Sequence, residues 1–158
     1  MVLRIKYWVV FLLAFNGICS YSQATFVPTI DTMVAQINRI KFTRTLVLND
    51  TVAMLSGYPE KEIRAYLQGD TLKKTVVSFR NSKRIREVYY GPGESYKNRV
   101  IYVKDYDGES LALCAEVYFW ERKLVKSIII DPVNEDERNH PQKILDRANY
   151  ELLVNVKK

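Results

Sequence analysis

The 158-residue chain contains one histidine, two cysteines, six glycines and five prolines, and each scarcity removes a class of chemistry. A histidine-based catalytic triad or a zinc centre draws on imidazole, and His140 is alone, in a polar stretch beside Pro141. Pairing it with Cys114 as base and nucleophile would require a loop residue to meet the middle of a β-like segment. A strand cysteine ordinarily behaves as a small hydrophobe. Gly91-Pro92-Gly93 is too short and rigid to cradle a phosphate, and no helical pattern follows it. No sequence motif implies a cofactor. There is no repeat of long period, no low-complexity tract, and no apolar run near the roughly 20 residues that a membrane-spanning helix needs.

What is present begins with the leader-like opening. Arg4 and Lys6 lie in a stretch without acids, residues 7–15 are apolar, and Asn16, Gly17, Ser20 and Ser22 follow at once. A charged, then apolar, then small-and-polar order is that of a cleaved secretory signal, so residues 1–23 are expected to be removed and 24–158 to form a single domain. Cys19 stands where a lipoprotein would carry its lipid. Ile18, though, is large at a position where that pattern takes a small residue, so the expected product is free of lipid. Without Cys19 the remaining chain holds only Cys114, which excludes an intramolecular disulfide. The expected address is periplasmic or extracellular.

Removing Arg4 and Lys6 leaves 22 basic against 18 acidic residues, a net charge of +4 over 135 residues. Binding double-stranded nucleic acid needs a denser basic stripe, since each neutralised phosphate takes its own cation. A nucleic-acid partner is therefore not expected. Hydrophobic residues at 47% and charged residues at 27% suit a globular core.

Ile30, Met33, Val34, Ile37 and Ile40 recur at helical spacing, with Thr29 or Asp31 as candidate caps. Short β segments follow over 43–49, 63–68, 72–80, 84–90, 99–105, 111–120 and 124–130, separated by turn residues such as Gly69-Asp70, Asn81-Ser82 and Asp107-Gly108. In the strongest of them Leu111, Leu113, Ala115, Val117 and Phe119 form the expected core face. A polar, acidic loop over 131–141 leads to a second helical pattern through Ile144, Leu145, Ala148, Leu152, Leu153 and Val156. The expected fold is α+β, an antiparallel β-meander of about six strands with one N-terminal and one C-terminal helix covering one face of the sheet.

This order, with Ala65-Tyr66-Leu67-Gln68-Gly69-Asp70-Thr71-Leu72-Lys73-Lys74, Val88-Tyr89-Tyr90, Glu116-Val117-Tyr118-Phe119 and Lys123-Leu124-Val125-Lys126, resembles a loose group of secreted meander proteins from Bacteroidota. The resemblance covers about residues 30–131 and implies export and a fold but no chemistry. Glu121-Arg122-Lys123 departs from that group's glycine-bearing turn. A fainter, fold-level likeness is to PepSY and β-lactamase-inhibitor type domains.

Among charged residues, Asp105, Asp107, Asp131, Glu135, Asp136 and Glu137 lack the spacing and glycine of a calcium loop and suit turns and a solvated loop. The remaining candidate is a basic hairpin: Lys73, Lys74, Arg80, Lys83, Arg84 and Arg86 gather around it, with Tyr89 and Tyr90 nearby for stacking. Such a surface would take an anionic glycan or a lipid headgroup, against the alternative of ordinary solubilising charge at strand edges. The expectation is an exported, non-catalytic binding module of the bacterial envelope, whose partner is an envelope protein or such an anionic component. The alternative is a small exported hydrolase working through carboxylates.

Overall fold

The computed structural model describes residues 25–50, 61–79, 83–92, 99–133, 135–146 and 148. Helix α1 covers residues 25–39. It is followed by strands β1 (Arg44–Asp50), β2 (Lys61–Gln68), β3 (Thr71–Phe79), β4 (Arg84–Gly91), β5 (Arg99–Asp107), β6 (Leu113–Trp120) and β7 (Lys123–Ile129). A short helix α2 (Glu135–Asn139) and a helical segment α3 (142–146) close the described chain. The strands form one antiparallel sheet in sequential order, β1 to β7. The meander expected from the turn spacing is thus present, with seven strands where about six were expected.

Alternation along each strand divides the sheet into two faces, and both are covered in part. On the first face, Ile30 and Ile37 of α1 are buried against Tyr89, Ile101, Tyr102 and Tyr118, with Phe26 stacked on Trp120 at 4.9 Å between ring centroids. Burying each isoleucine contributes about 2 kcal/mol to docking the helix. On the second face, Ile144, Leu145 and Ala148 pack on Leu67, Val88, Val103, Val117 and Phe119. The helices therefore lie on opposite faces of the sheet rather than together on one. β6 is buried on both sides where each meets a helix: Ala115, Val117 and Phe119 on one, Tyr118 on the other.

Further differences have local causes. Helix α1 already includes residue 25, so Pro28 lies within the helix rather than in an entry before it. Thr29 and Asp31 are consequently inside the helix rather than caps, and the Thr32 hydroxyl donates back to the Pro28 carbonyl at 2.9 Å. Leu111 leaves the expected core face: it has a φ of 58° in the β5–β6 turn and is 70% exposed. The stretch expected as a solvated acidic loop contains α2, whose Glu137 is buried. The glycine-free β6–β7 turn places both Glu121 and Arg122 at positive φ, the geometry that matches strand twist in a two-residue hairpin.

Register shifts interrupt four of the pairings. At the β4–β5 shift Tyr89 faces Tyr102 while Tyr90 faces Val100, so Ile101 is the extra residue and joins Tyr102 in the core beneath α1. The entry to β1 is fixed by Thr43, whose N–H donates to the Leu67 carbonyl at 2.9 Å and whose hydroxyl accepts the Gly69 N–H at 2.9 Å. Gly69 has a φ of 59°, which the tight β2–β3 turn requires. The expected leader with Cys19, Arg80, the Asn81-Ser82 turn and the end of the second helical pattern lie outside the described residues. Among the described residues no helix is long and apolar enough to cross a membrane.

Candidate interaction surface

Among the described residues, the side chains of the basic hairpin do not gather on one surface. Lys83 is exposed at the start of β4 and pairs with Glu109 of the facing turn, while the Arg84 guanidinium holds both the carboxylate and the carbonyl oxygen of Asp131. Arg86 is buried. Tyr89 and Tyr90 are buried as well, so neither offers a ring for stacking. A run of cations in sequence is not one in space here, because Lys83 sits in the turn, Arg84 and Arg86 point to the second face and Tyr89 to the first.

Arg86 stands opposite Asp105 in the β4–β5 register, and its Nε and Nη2 donate to the two carboxylate oxygens at 2.7 Å each. Glu137 of α2 closes the group from above, accepting from Nη2 at 2.8 Å and from Nη1 at 3.3 Å. Burial disfavours the Arg86 charge, but Asp105 and then Glu137 outweigh it and hold the guanidinium proton more firmly than usual. A planar fork meeting two carboxylates suits arginine and not lysine. All three side chains are within 1% of complete burial, so the cluster joins α2 to the sheet and has no opening for a substrate. Sequence reasoning took Arg86, Asp105 and Glu137 for surface charges. Their meeting depends on cross-strand register and on the packing of α2, neither of which is local.

On the first face the register aligns side chains in rows across the sheet. One row runs Tyr66, Lys74, Tyr89, Tyr102, Tyr118, Lys126, and its centre lies beneath α1. Adjacent rings are tilted, with centroids 5.5 Å apart for Tyr89 and Tyr102 and 4.9 Å apart for Tyr102 and Tyr118. The next row runs Val47, Arg64, Val76, Glu87, Lys104, Glu116, Ile128. Beyond it stand Ser78, Ile85 and Tyr106. From Val76 to Glu116, and at Ser78, Ile85 and Tyr106, these side chains are half-buried.

Hydrogen bonds tie the two rows together. The Lys74 ammonium donates to Glu87 at 2.7 Å and to the Tyr89 hydroxyl at 3.0 Å, and that hydroxyl lies 2.7 Å from the second Glu87 oxygen and 3.1 Å from Asn38 Oδ1 of α1. The Tyr102 hydroxyl donates to Glu116 at 2.6 Å. Burial would raise the Glu87 carboxyl, but the bonds from Lys74 and Tyr89 outweigh it and hold it below the usual carboxylate range. The same contacts overcome the burial of Lys74 and raise it. Burial, reinforced by the negative charge of Glu116, pushes the phenols of Tyr102 and Tyr118 well above their ordinary value. This network fixes the orientation of polar groups on a surface that remains half open.

Cys114 is buried, its thiol 3.4 Å from the Ala112 carbonyl, and His140 is exposed at the end of α2; no contact joins them among the described hydrogen bonds. No group of three or more His, Cys, Asp or Glu among the described residues could hold a metal ion. Comparison with protein-family models, with curated proteins and with solved structures finds no match.

Proposed function

We propose that the protein is an exported, non-catalytic interaction module of the bacterial envelope, and that its binding surface is the part of the first sheet face left uncovered by α1. The observation that carries this reading is the half-exposed strip of Val76, Ile85, Lys104, Tyr106 and Glu116 on a rigid sheet. Apolar and aromatic groups alternate there with charges already oriented by neighbours, an arrangement that gives contact area at low entropic cost. The partner we favour is a protein of the envelope rather than an anionic glycan or lipid headgroup. Lys83, Arg84 and Arg86 each have a carboxylate partner, so the charge an anionic polymer would need is largely spent inside the molecule. Export rests on the leader-like pattern of residues 1–23. The hydrolase alternative draws no support from Asp105 and Glu137, which face one another across Arg86 but are sealed from solvent.

The test is site-specific photocrosslinking in the producing cell, with the photoreactive residue at Val76, Ile85 or Tyr106 and, as controls, at the exposed Asp70 and Arg39. Adducts of one defined mass from the sheet positions, absent from the controls, are the expected result. Adducts from the controls alone, or from no position, would overturn the proposal.

A further inference from the structure

We propose that β1 is a self-pairing edge through which two copies of this chain join their sheets, antiparallel about a twofold axis at Val47. The two edges of the sheet are unlike. β7 carries Lys123 and Lys126, and its pairing with β6 shifts register at Tyr118/Phe119, which is ordinary protection of an edge against a further strand. β1 has no such protection between its ends: residues 45–49 are uncharged, and all seven of its residues pair with β2 without a shift. Among the described residues no strand lies on its other side, and Val47 is 59% exposed. A regular, uncharged edge is a template for strand addition.

The hydrogen-bond phase limits the register. Thr43 N–H donates to the Leu67 carbonyl at 2.9 Å, so Leu67 turns toward β1. Gln68 turns the other way, to face Thr71 across the two-residue turn at Gly69-Asp70. Since bonding directions alternate along an antiparallel strand, Arg44, Leu46 and Leu48, the partners of Leu67, Ala65 and Ile63, bond inward to β2. Thr45, Val47 and Asn49 therefore turn their N–H and C=O groups to the open side. A twofold pair has to oppose outward residues to outward residues, so its axis passes through a residue and not between two.

Charge completes the selection. β1 begins with Arg44 and ends with Asp50, and Val47 stands midway between them. About an axis at Val47, Arg44 falls opposite Asp50 of the other copy, Thr45 opposite Asn49 and Leu46 opposite Leu48. Residues of unlike charge thus stand opposite at both ends of the pair, an arrangement that favours a cross-strand register. Centring the pair on Leu46 would set Arg44 against Leu48, and centring it on Leu48 would set Asp50 against Leu46. The occupant these features fit is a second copy, because the strand complements its own reverse. The axis stands perpendicular to the sheet, so the first faces of both copies turn the same way.

Sedimentation equilibrium of the purified protein should show a dimer that dissociates on dilution. Val47→Pro removes an outward N–H that the protein's own sheet does not use, at an edge position where proline is tolerated. Both hydrogen bonds of the central pair are then lost, so the dimer should weaken at least about tenfold while native circular dichroism is retained. Arg44→Asp and Asp50→Arg should each weaken the dimer several-fold, because like charges then stand opposite at both ends. An equimolar mixture of these two variants should pair again, since each copy then meets the opposite charge. Val47→Cys should crosslink to its counterpart under mild oxidation, because hydrogen-bonded antiparallel partners lie about 5.5 Å apart at Cα. Thr45→Cys should not, since its own counterpart then lies four residues along the strand, about 14 Å away. A monomer at every concentration, a dimer indifferent to Val47→Pro, crosslinking through position 45 in preference to 47, or a mixture no tighter than its components would each overturn the proposal. If the proline variant does not fold, the charge-exchanged mixture decides.

Discussion

Arg86 and Asp105 face each other across β4 and β5 and share two hydrogen bonds of 2.7 Å in a site closed to solvent. With Glu137 bound to the same guanidinium, removing Arg86 takes from two buried carboxylates the cation they share. Arg86→Met should therefore destabilise the fold by about 3–5 kcal/mol. Replacing all three members by apolar residues of similar volume should recover most of that loss, because desolvation and attraction then vanish together. Urea denaturation of the single and triple variants checks both claims. A single variant as stable as the wild type would show that water or another group compensates the carboxylates.

Glu87 gives a pH signature. Burial opposes its charge, but Lys74 and Tyr89 hold the folded-state value below the ordinary 4.5, so the unfolded chain takes up a proton first as the pH falls. Its contribution to stability is thus present above the unfolded value and is lost as the pH drops through the lower, folded value. The melting temperature of Glu87→Gln should fall short of the wild type most clearly near neutrality. That difference should shrink steadily as the solution is acidified below about 4.5. A constant difference across the range would assign the effect of Glu87 to packing.

Local patterns made the meander, the turns and the α1 stripe legible, because alternation, Gly69-Asp70, Asp107-Gly108 and the Ile30-to-Ile37 spacing are written along the chain. The opposite placement of the helices was not legible. It depends on how each apolar stripe finds a face, and the sheet has two, with Val117 turned to one and Tyr118 to the other. The row joining Tyr89, Tyr102 and Tyr118 needs three strands in register, and the β4–β5 shift at Tyr89/Tyr90 alters that register by a residue. Arg84 and Arg86 misled for the same reason: a cation on a strand shows neither which face it occupies nor which acid stands opposite.

Leu111 is a residue placed against its preference. It holds a φ of 58° and is 70% exposed, so the strain of a left-handed conformation has little burial to offset it. The turn is otherwise well tied: Asp107 Oδ1 accepts the Ser110 N–H at 2.7 Å and the Glu109 N–H at 3.1 Å, and Leu111 N–H reaches the Asp107 carbonyl at 2.8 Å. Leu111→Gly should accordingly stabilise the protein by about 0.5–1 kcal/mol, the gain from relieving strain less the entropy of a freer unfolded chain. A rise in thermal midpoint is the expected result. A fall would mean that the leucine side chain makes a contact worth more than its backbone strain.

The tyrosine row should be visible at alkaline pH. Tyr102 is buried beneath α1 and donates to Glu116 at 2.6 Å, and Tyr118 lies beside it with the same carboxylate close by. Burial first, then the hydrogen bond to Glu116 for Tyr102 and the Glu116 charge for Tyr118, disfavour the phenolate and raise both hydroxyls well above the ordinary 10.0. In the unfolded chain these phenols ionise near that ordinary value, so above it the folded state retains protons that the unfolded state has lost. Their contribution to stability is then fully present below about 10 and declines as the pH climbs beyond it. Spectrophotometric titration should show exposed tyrosines ionising reversibly, and a remaining fraction ionising only together with loss of the native circular dichroism. Tyr102→Phe should remove one phenol from that delayed fraction and lessen the alkaline loss of stability. At neutral pH it should cost only about 0.5–1.5 kcal/mol, the net worth of one hydrogen bond. A single ionisation phase in the folded protein would mean that water reaches the row, and that α1 does not seal the centre of the sheet.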